Sequence, residues 1–313
     1  MPRAPDRREF LAAALAGAAG ISLARGSVSR AFAKAPPAAL TITKITDKIS
    51  LVSGAGANVT VLTGPDSLLL VDGGLKERSP ELLKFVSDQT GIRRVDTLFN
   101  TCWRPEHTGS NETLGKAGVK IVAHENTKLW LSTTFDVPWE GKSYAPVAKA
   151  ALPNETFYDV GTANFASEPV QYGWLPRART DGDIYVSVPG QKVLAAGDVL
   201  STGAYPILDY RTGGWLGGMV DASKTLLALT DKDTRIIPGK GPARTRDDVQ
   251  AQYDMVSTIK DRMIEMIRKG LSPDDMLAAG VTKEFDEAWG DPRMFVHNAY
   301  QGLWAHVVEI GVF

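Results

Sequence analysis

The sequence predicts an α/β protein built as a sheet sandwich with helices packed on its outer faces. From Leu40 the chain is a series of short β-rich runs, each closed by Gly, Asp or Asn. Strand-like and helix-like segments then alternate through both halves. After Pro242 the pattern turns helical to the end, which supplies helices to cover a sheet. With 313 residues, 43% of them apolar, the chain can fill one large core or two small ones.

The first strands read as "LTITKITDKISLVSG", "NVTVLTG" and "SLLLVDGG". A helix follows over "SPELLKFVSDQTG", started by Ser79 and Pro80 and stopped by Gly91. Next come the strand "VDTLFNT", a short helix "NETLGKAG", the strand "VKIVAHE", and a helix "NTKLWLSTTF" opened by Asn126. In the second half "EPVQYGWLP", "DIYVSVPG" and "KVLAAGDVL" are strands, "GGMVDASKTLLALT" is a helix and "RIIPG" a strand. The helical end comprises "TRDDVQAQYDMVSTIKDRMIEMIRKG", "SPDDMLAAG" and "DPRMFVHNAYQGLWAHVV".

Residues 1–33 stand apart. Arg7 and Arg8 precede an Ala-rich apolar run, and "SRAFAKA" offers small residues at a cleavage site near Ala33. This resembles a twin-arginine export signal, which implies a periplasmic or secreted protein that crosses the membrane already folded. Gly17, Gly20 and Ser22 make the run too weak for a stable membrane span. Residues 34–39 form a linker and 40–313 the folded domain, including its helical end. Thirty-five basic and thirty-six acidic residues leave a formal charge of −1, which gives no basis for nucleic acid or an anionic membrane as partner. The single cysteine, Cys102, excludes an intrachain disulfide.

Five strand-end segments carry the chemistry: "VDGG" at Asp72, "NTCWRPEHTGSN", "ARTDGD" around Thr180, "AAGDVL" at Asp198 and "IIPGKGP" around Lys240. In order and spacing they resemble the metallo-β-lactamase-fold superfamily. That resemblance implies a four-layer αββα sandwich: two mixed β-sheets face to face, with helices on both outer faces. Active members read His-x-His-x-Asp-His in the first loop and bind two zinc ions, whose bound hydroxide is the nucleophile. The matching positions here are Cys102, Arg104, Glu106 and His107; Arg179 stands for the next histidine, Asp198 keeps the bridging aspartate, and Lys240 replaces the last histidine. Arginine has no lone pair for a metal, so the resemblance implies a zinc centre largely lost. No cofactor is expected, although Cys102, Glu106, His107 and Asp198 are residual candidates for a single zinc.

Three functions follow. One is a non-catalytic, exported binding protein for a small anionic ligand, with Arg104, Glu106, Arg179, Lys240, Asp209, Tyr210 and Trp215 as ligand-binding candidates. The second is a hydrolase with a rebuilt site, single-metal or based on Cys102 with His107 as base and Asp198 nearby. The third is a subunit paired with an intact relative of the same fold. The glycines of "DYRTGGWLGG" permit a close-approaching loop at the mouth of the site or a cap for the next helix. His124 reads as a structural hydrogen-bonding residue, and His297 and His306 lie at a spacing without metal logic. Arg104, Arg179 and Lys240 against Glu106 and Asp198 predict a net charge of about +1 in the pocket.

Overall fold

The computed structural model describes residues 38–309. The export signal expected over 1–33 and most of the expected linker lie outside the described residues. The first sheet has seven strands in the order β1 (Thr41–Lys44), β2 (Ile49–Ser53), β3 (Val59–Thr63), β4 (Leu68–Val71), β5 (Val95–Phe99), β6 (Lys120–His124) and β9 (Glu155–Phe157). Pairing is antiparallel as far as β4 and parallel beyond it. The second sheet runs β10 (Val160–Phe165), β11 (Glu168–Trp174), β12 (Ile184–Val188), β13 (Val193–Gly197) and β14 (Arg235–Pro238), parallel only in its last pair. A separate hairpin joins β7 (Phe135–Val137) to β8 (Lys142–Tyr144).

Side-chain alternation makes the four layers. In β4, Leu69 and Val71 pack with Phe99, Val122, Ile184 and Val186 between the sheets. Leu68 and Leu70 point to the opposite face, where they meet Leu82 and Val86 of helix α1 (Ser79–Thr90). The second sheet repeats the division: Ala195 enters the inter-sheet core, while Leu194 and Ala196 pack outward. Their outer partners include Met219 and Leu226 of α5 (Leu216–Leu229) and Met255, Ile259 and Met263 of α6 (Arg246–Arg268). The central strands are therefore buried on both faces, which is why β4 and β13 read as unbroken apolar runs.

The remaining helices are α2 (Pro105–Thr108), α3 (Asn111–Lys116), α4 (Glu125–Ser132), α7 (Pro273–Ala278), α8 (Asp286–Trp289) and α9 (Arg293–Glu309). Helix termini follow local chemistry: Gly91 takes φ 75° at the end of α1, and Thr245 and Asp248 form a capping box on α6. Two local expectations are corrected. Helix α4 starts one residue before Asn126, because the His124 ring accepts the Asn126 N–H and serves as the cap. It stops at Ser132, since Phe135–Val137 leaves as a strand with Phe135 and Val137 buried. Among the described residues no helix is long and apolar enough to cross a membrane.

Candidate functional site

The site forms where β4, β5, β13 and β14 end, so that loops from both sheets converge. Asp72 follows β4 directly with φ 66°, a left-handed conformation rare for a residue with a side chain. Its carboxylate accepts the Thr101 N–H at 2.8 Å and the Thr101 hydroxyl at 2.8 Å, and lies 2.8 Å from His107 Nδ1. The loop after β5 carries Cys102 to Arg104, and the single turn of α2 then presents Glu106 and His107. Asp198 follows β13, where a Cβ on Gly239 would collide with its Oδ1, so only glycine lets β14 end this close.

From Asp72 the charges alternate in one continuous chain. His107 Nε2 lies 3.1 Å from Asp198 Oδ2, and the Arg179 guanidinium pairs with that same oxygen. The other Arg179 terminus is 3.7 Å from Glu106, which lies 3.9 Å from Arg104. Arg104 in turn pairs with Glu140 of the β7–β8 hairpin and lies 3.7 Å from Asp209. Aromatic rings surround this guanidinium: its central carbon sits 4.9 Å from the Trp103 ring centre, 5.6 Å from Trp139 and 5.8 Å from Tyr144. Arg104, His107, Arg179 and Asp209 are buried, and Glu106 and Asp198 nearly so.

Burial opposes a charged His107, but Cys102 and the Asp72 carboxylate beside the ring outweigh it and raise the imidazole well above its ordinary value. Burial likewise pushes the Glu106 carboxyl up, yet His107, Arg179 and Arg104 together hold it at about 2. Asp183 behaves oppositely. It accepts the Arg179 and Thr180 N–H groups and the Thr180 hydroxyl, but complete burial raises it to about 7.

The sequence-derived candidates divide. Arg104, Glu106, His107, Arg179, Asp198 and Asp209 come together, and Glu106, His107 and Asp198 offer donor atoms within 4.8 Å of one another. Cys102 is buried against His107, 1% exposed. Lys240 is not part of this cluster: its side chain is exposed at the rim of a cavity of about 200 Å³ that also touches Arg179 and Asp198. Trp215 also falls outside the site, because its ring stacks on His306 at 3.8 Å and so joins α5 to α9. Tyr210 is half-buried on the short turn Tyr210–Thr212, which Asp209 caps. His124 has the structural role expected, bonding Tyr158 O and stacking on Trp174. His297 pairs with Asp274 at the surface.

The expected pocket charge of about +1 is also corrected. Lys240 stands outside the chain of pairs, and three carboxylates left out of that charge count, Asp72, Glu140 and Asp209, stand within it. Five carboxylates thus face two guanidiniums and one imidazole, leaving the buried network negative. Asp72 was legible in "VDGG", a strand followed at once by an acid and two glycines. Glu140 had no such signal, because its hairpin is too short for a periodicity.

Comparison with known proteins agrees with this fold. The family model described as Metallo-beta-lactamase superfamily matches residues 52–240. Among solved structures, a metallo-beta-lactamase from Pontibacter korlensis aligns over 70% of this chain and 99% of its own, with a TM-score of 0.56 and 19% identity. The inverting sec-alkylsulfatase Pisa1 from Pseudomonas sp. aligns over 84% of this chain and 50% of its own, with a TM-score of 0.65 and 15% identity. The DIM-1 metallo-beta-lactamase aligns over 71% and 98%, with a TM-score of 0.57 and 15% identity. No curated protein matches the chain.

Proposed function

The chain belongs to the metallo-β-lactamase superfamily, and we propose that it acts there as an exported, non-catalytic binding or partner subunit in which cationic side chains stand where relatives hold zinc. The observation that carries this reading is the Arg179 guanidinium seated on Asp198 Oδ2 and reaching toward Glu106. A metal ion among Glu106, His107 and Asp198 would have to displace that permanent cation. It would also need a neutral His107, whereas Asp72 and Cys102 favour the protonated ring. Arg104 and Arg179 offer no lone pair, so these residues do not fit a dinuclear zinc centre.

Burial of Cys102 against His107 supports a space-filling role for the thiol over that of a nucleophile, which must be reached by its substrate. Arg7 and Arg8 ahead of the weakly apolar run support export in the folded state. The protein partner on this reading is an intact relative of the same fold that retains its zinc.

Elemental analysis and turnover of the purified, zinc-treated chain test the proposal. Zinc well below one equivalent is expected, with background hydrolysis of β-lactams, lactones, thioesters and phosphodiesters. Stoichiometric zinc with chelator-sensitive turnover would overturn it. Affinity capture from the native cell tests the pairing, with co-elution of a zinc-containing relative as the expected result.

A further inference from the structure

A cavity of about 350 Å³ lies beside the charged network and is lined by none of Glu106, His107, Arg179 or Asp198. Its main walls are Trp103, Trp130, Leu131, Phe135, Tyr144 and Val147. Phe135 sets the arrangement, meeting Trp103 and Trp130 edge-on, each with ring centres 4.9 Å apart. Trp103 is 2% exposed and Phe135 5%, so this wall is formed before any ligand arrives. The polar atoms of the rings are satisfied elsewhere: Trp103 Nε1 donates to Thr212, Trp130 Nε1 to Asp181, and the Tyr144 hydroxyl to Glu140. What remains for a ligand is carbon and aromatic ring.

The rim has the opposite character. Glu112 accepts Lys76 Nζ on one oxygen and Lys116 Nζ on the other, both at 2.7 Å. Lys76 and Glu112 border the cavity, and Lys116 behind them takes the second oxygen of Glu112, so the three side chains together carry a formal charge of +1. The Lys76 side chain is 76% exposed and can turn to a ligand while Glu112 keeps Lys116.

We propose that this cavity binds a small amphipathic monocarboxylate with an aromatic body, its ring among Trp103, Trp130, Phe135 and Tyr144 and its carboxylate on Lys76. The volume lies near the lower end of ligand pockets, about 300 to 1,000 Å³, and suits one or two rings with a short side chain. An amine gains little, because both oxygens of Glu112, the carboxylate at the rim, already accept a lysine ammonium. A di-anion would leave one charge unpaired, because a single ammonium borders the cavity. The inference goes beyond the non-catalytic reading and does not rest on it, since the cavity is present whether or not the charged network turns anything over.

Calorimetric titration of the full chain with 4-phenylbutyrate and with its neutral amide tests the proposal. The acid should bind saturably at one site, and the amide more weakly. Lys76→Gln should weaken the acid about fivefold, as expected for an exposed charge pair, and leave the amide unchanged. Ala151→Phe, which fills the cavity from a wall residue that is 8% exposed, should abolish binding of both. Val147→Trp gives the same readout should Ala151→Phe lose its cooperative thermal transition. No saturable heat with the acid, equal affinity for acid and amide, or acid binding that survives a folded cavity-filling variant would each overturn the proposal.

Discussion

Arg179→Ala is the sharpest probe of the buried charge chain. The side chain is 5% exposed and holds Asp198, itself 11% exposed, while its second terminus lies 3.7 Å from Glu106. Breaking such a pair from one side strands a buried carboxylate and typically costs about 3–5 kcal/mol. The Glu106 shift gives a separate scale: a fall from 4.5 to about 2 corresponds to about 3 kcal/mol, shared among His107, Arg179 and Arg104 after burial has opposed it. His107, 3.1 Å from Asp198, is expected to offset part of the loss. We therefore expect a loss of about 3 kcal/mol by urea denaturation at pH 7, with the m-value unchanged. Asp198→Asn combined with Arg179→Met removes both charges and should cost less than the two single changes together by about 2 kcal/mol. The pH dependence has a defined sign. Glu106 is depressed in the folded protein, so its contribution is present above about pH 4.5 and is lost as pH falls toward about 2. Arg179→Ala should flatten that loss. A destabilisation below about 1 kcal/mol, or strict additivity in the double variant, would place these side chains among weakly coupled surface charges and refute the reasoning.

Arg179→His replaces the guanidinium with an imidazole beside Asp198, and zinc affinity measured by calorimetry should rise at least tenfold over the parent on removing the competing cation. Asp183 is raised to about 7, so its ionisation opposes folding as pH climbs from about 4 to 7; Asp183→Asn should remove that decline from a stability-versus-pH profile. Arg7→Lys with Arg8→Lys should leave precursor in the cytoplasm by fractionation and immunoblotting, and normal export of that double variant would remove the twin-arginine route.

Much of this architecture was readable from the chain because its causes are local. Leu68 to Val71 is apolar at every position since both faces of β4 are covered, and Gly91 ends α1 because the cap requires a left-handed backbone. What each side chain can offer was equally local: Arg104 and Arg179 cannot donate to a metal in any fold. The short hairpin Phe135–Tyr144 was not readable, having too few residues for a period of two to emerge. It nevertheless supplies Glu140 to Arg104 and Phe135 and Tyr144 to the apolar cavity. Nor could spacing along the chain decide which charges meet. Lys240 and Arg179 both lie in strand-end segments expected to form the site, yet Arg179 is buried on Asp198 and Lys240 faces solvent. Composition and local periodicity determined the layers and the chemistry each residue can offer. Only the convergence of four strand ends decided which carboxylates share a buried space, because electrostatic pairing depends on distance and solvent exclusion, and neither quantity exists until the sheets have packed.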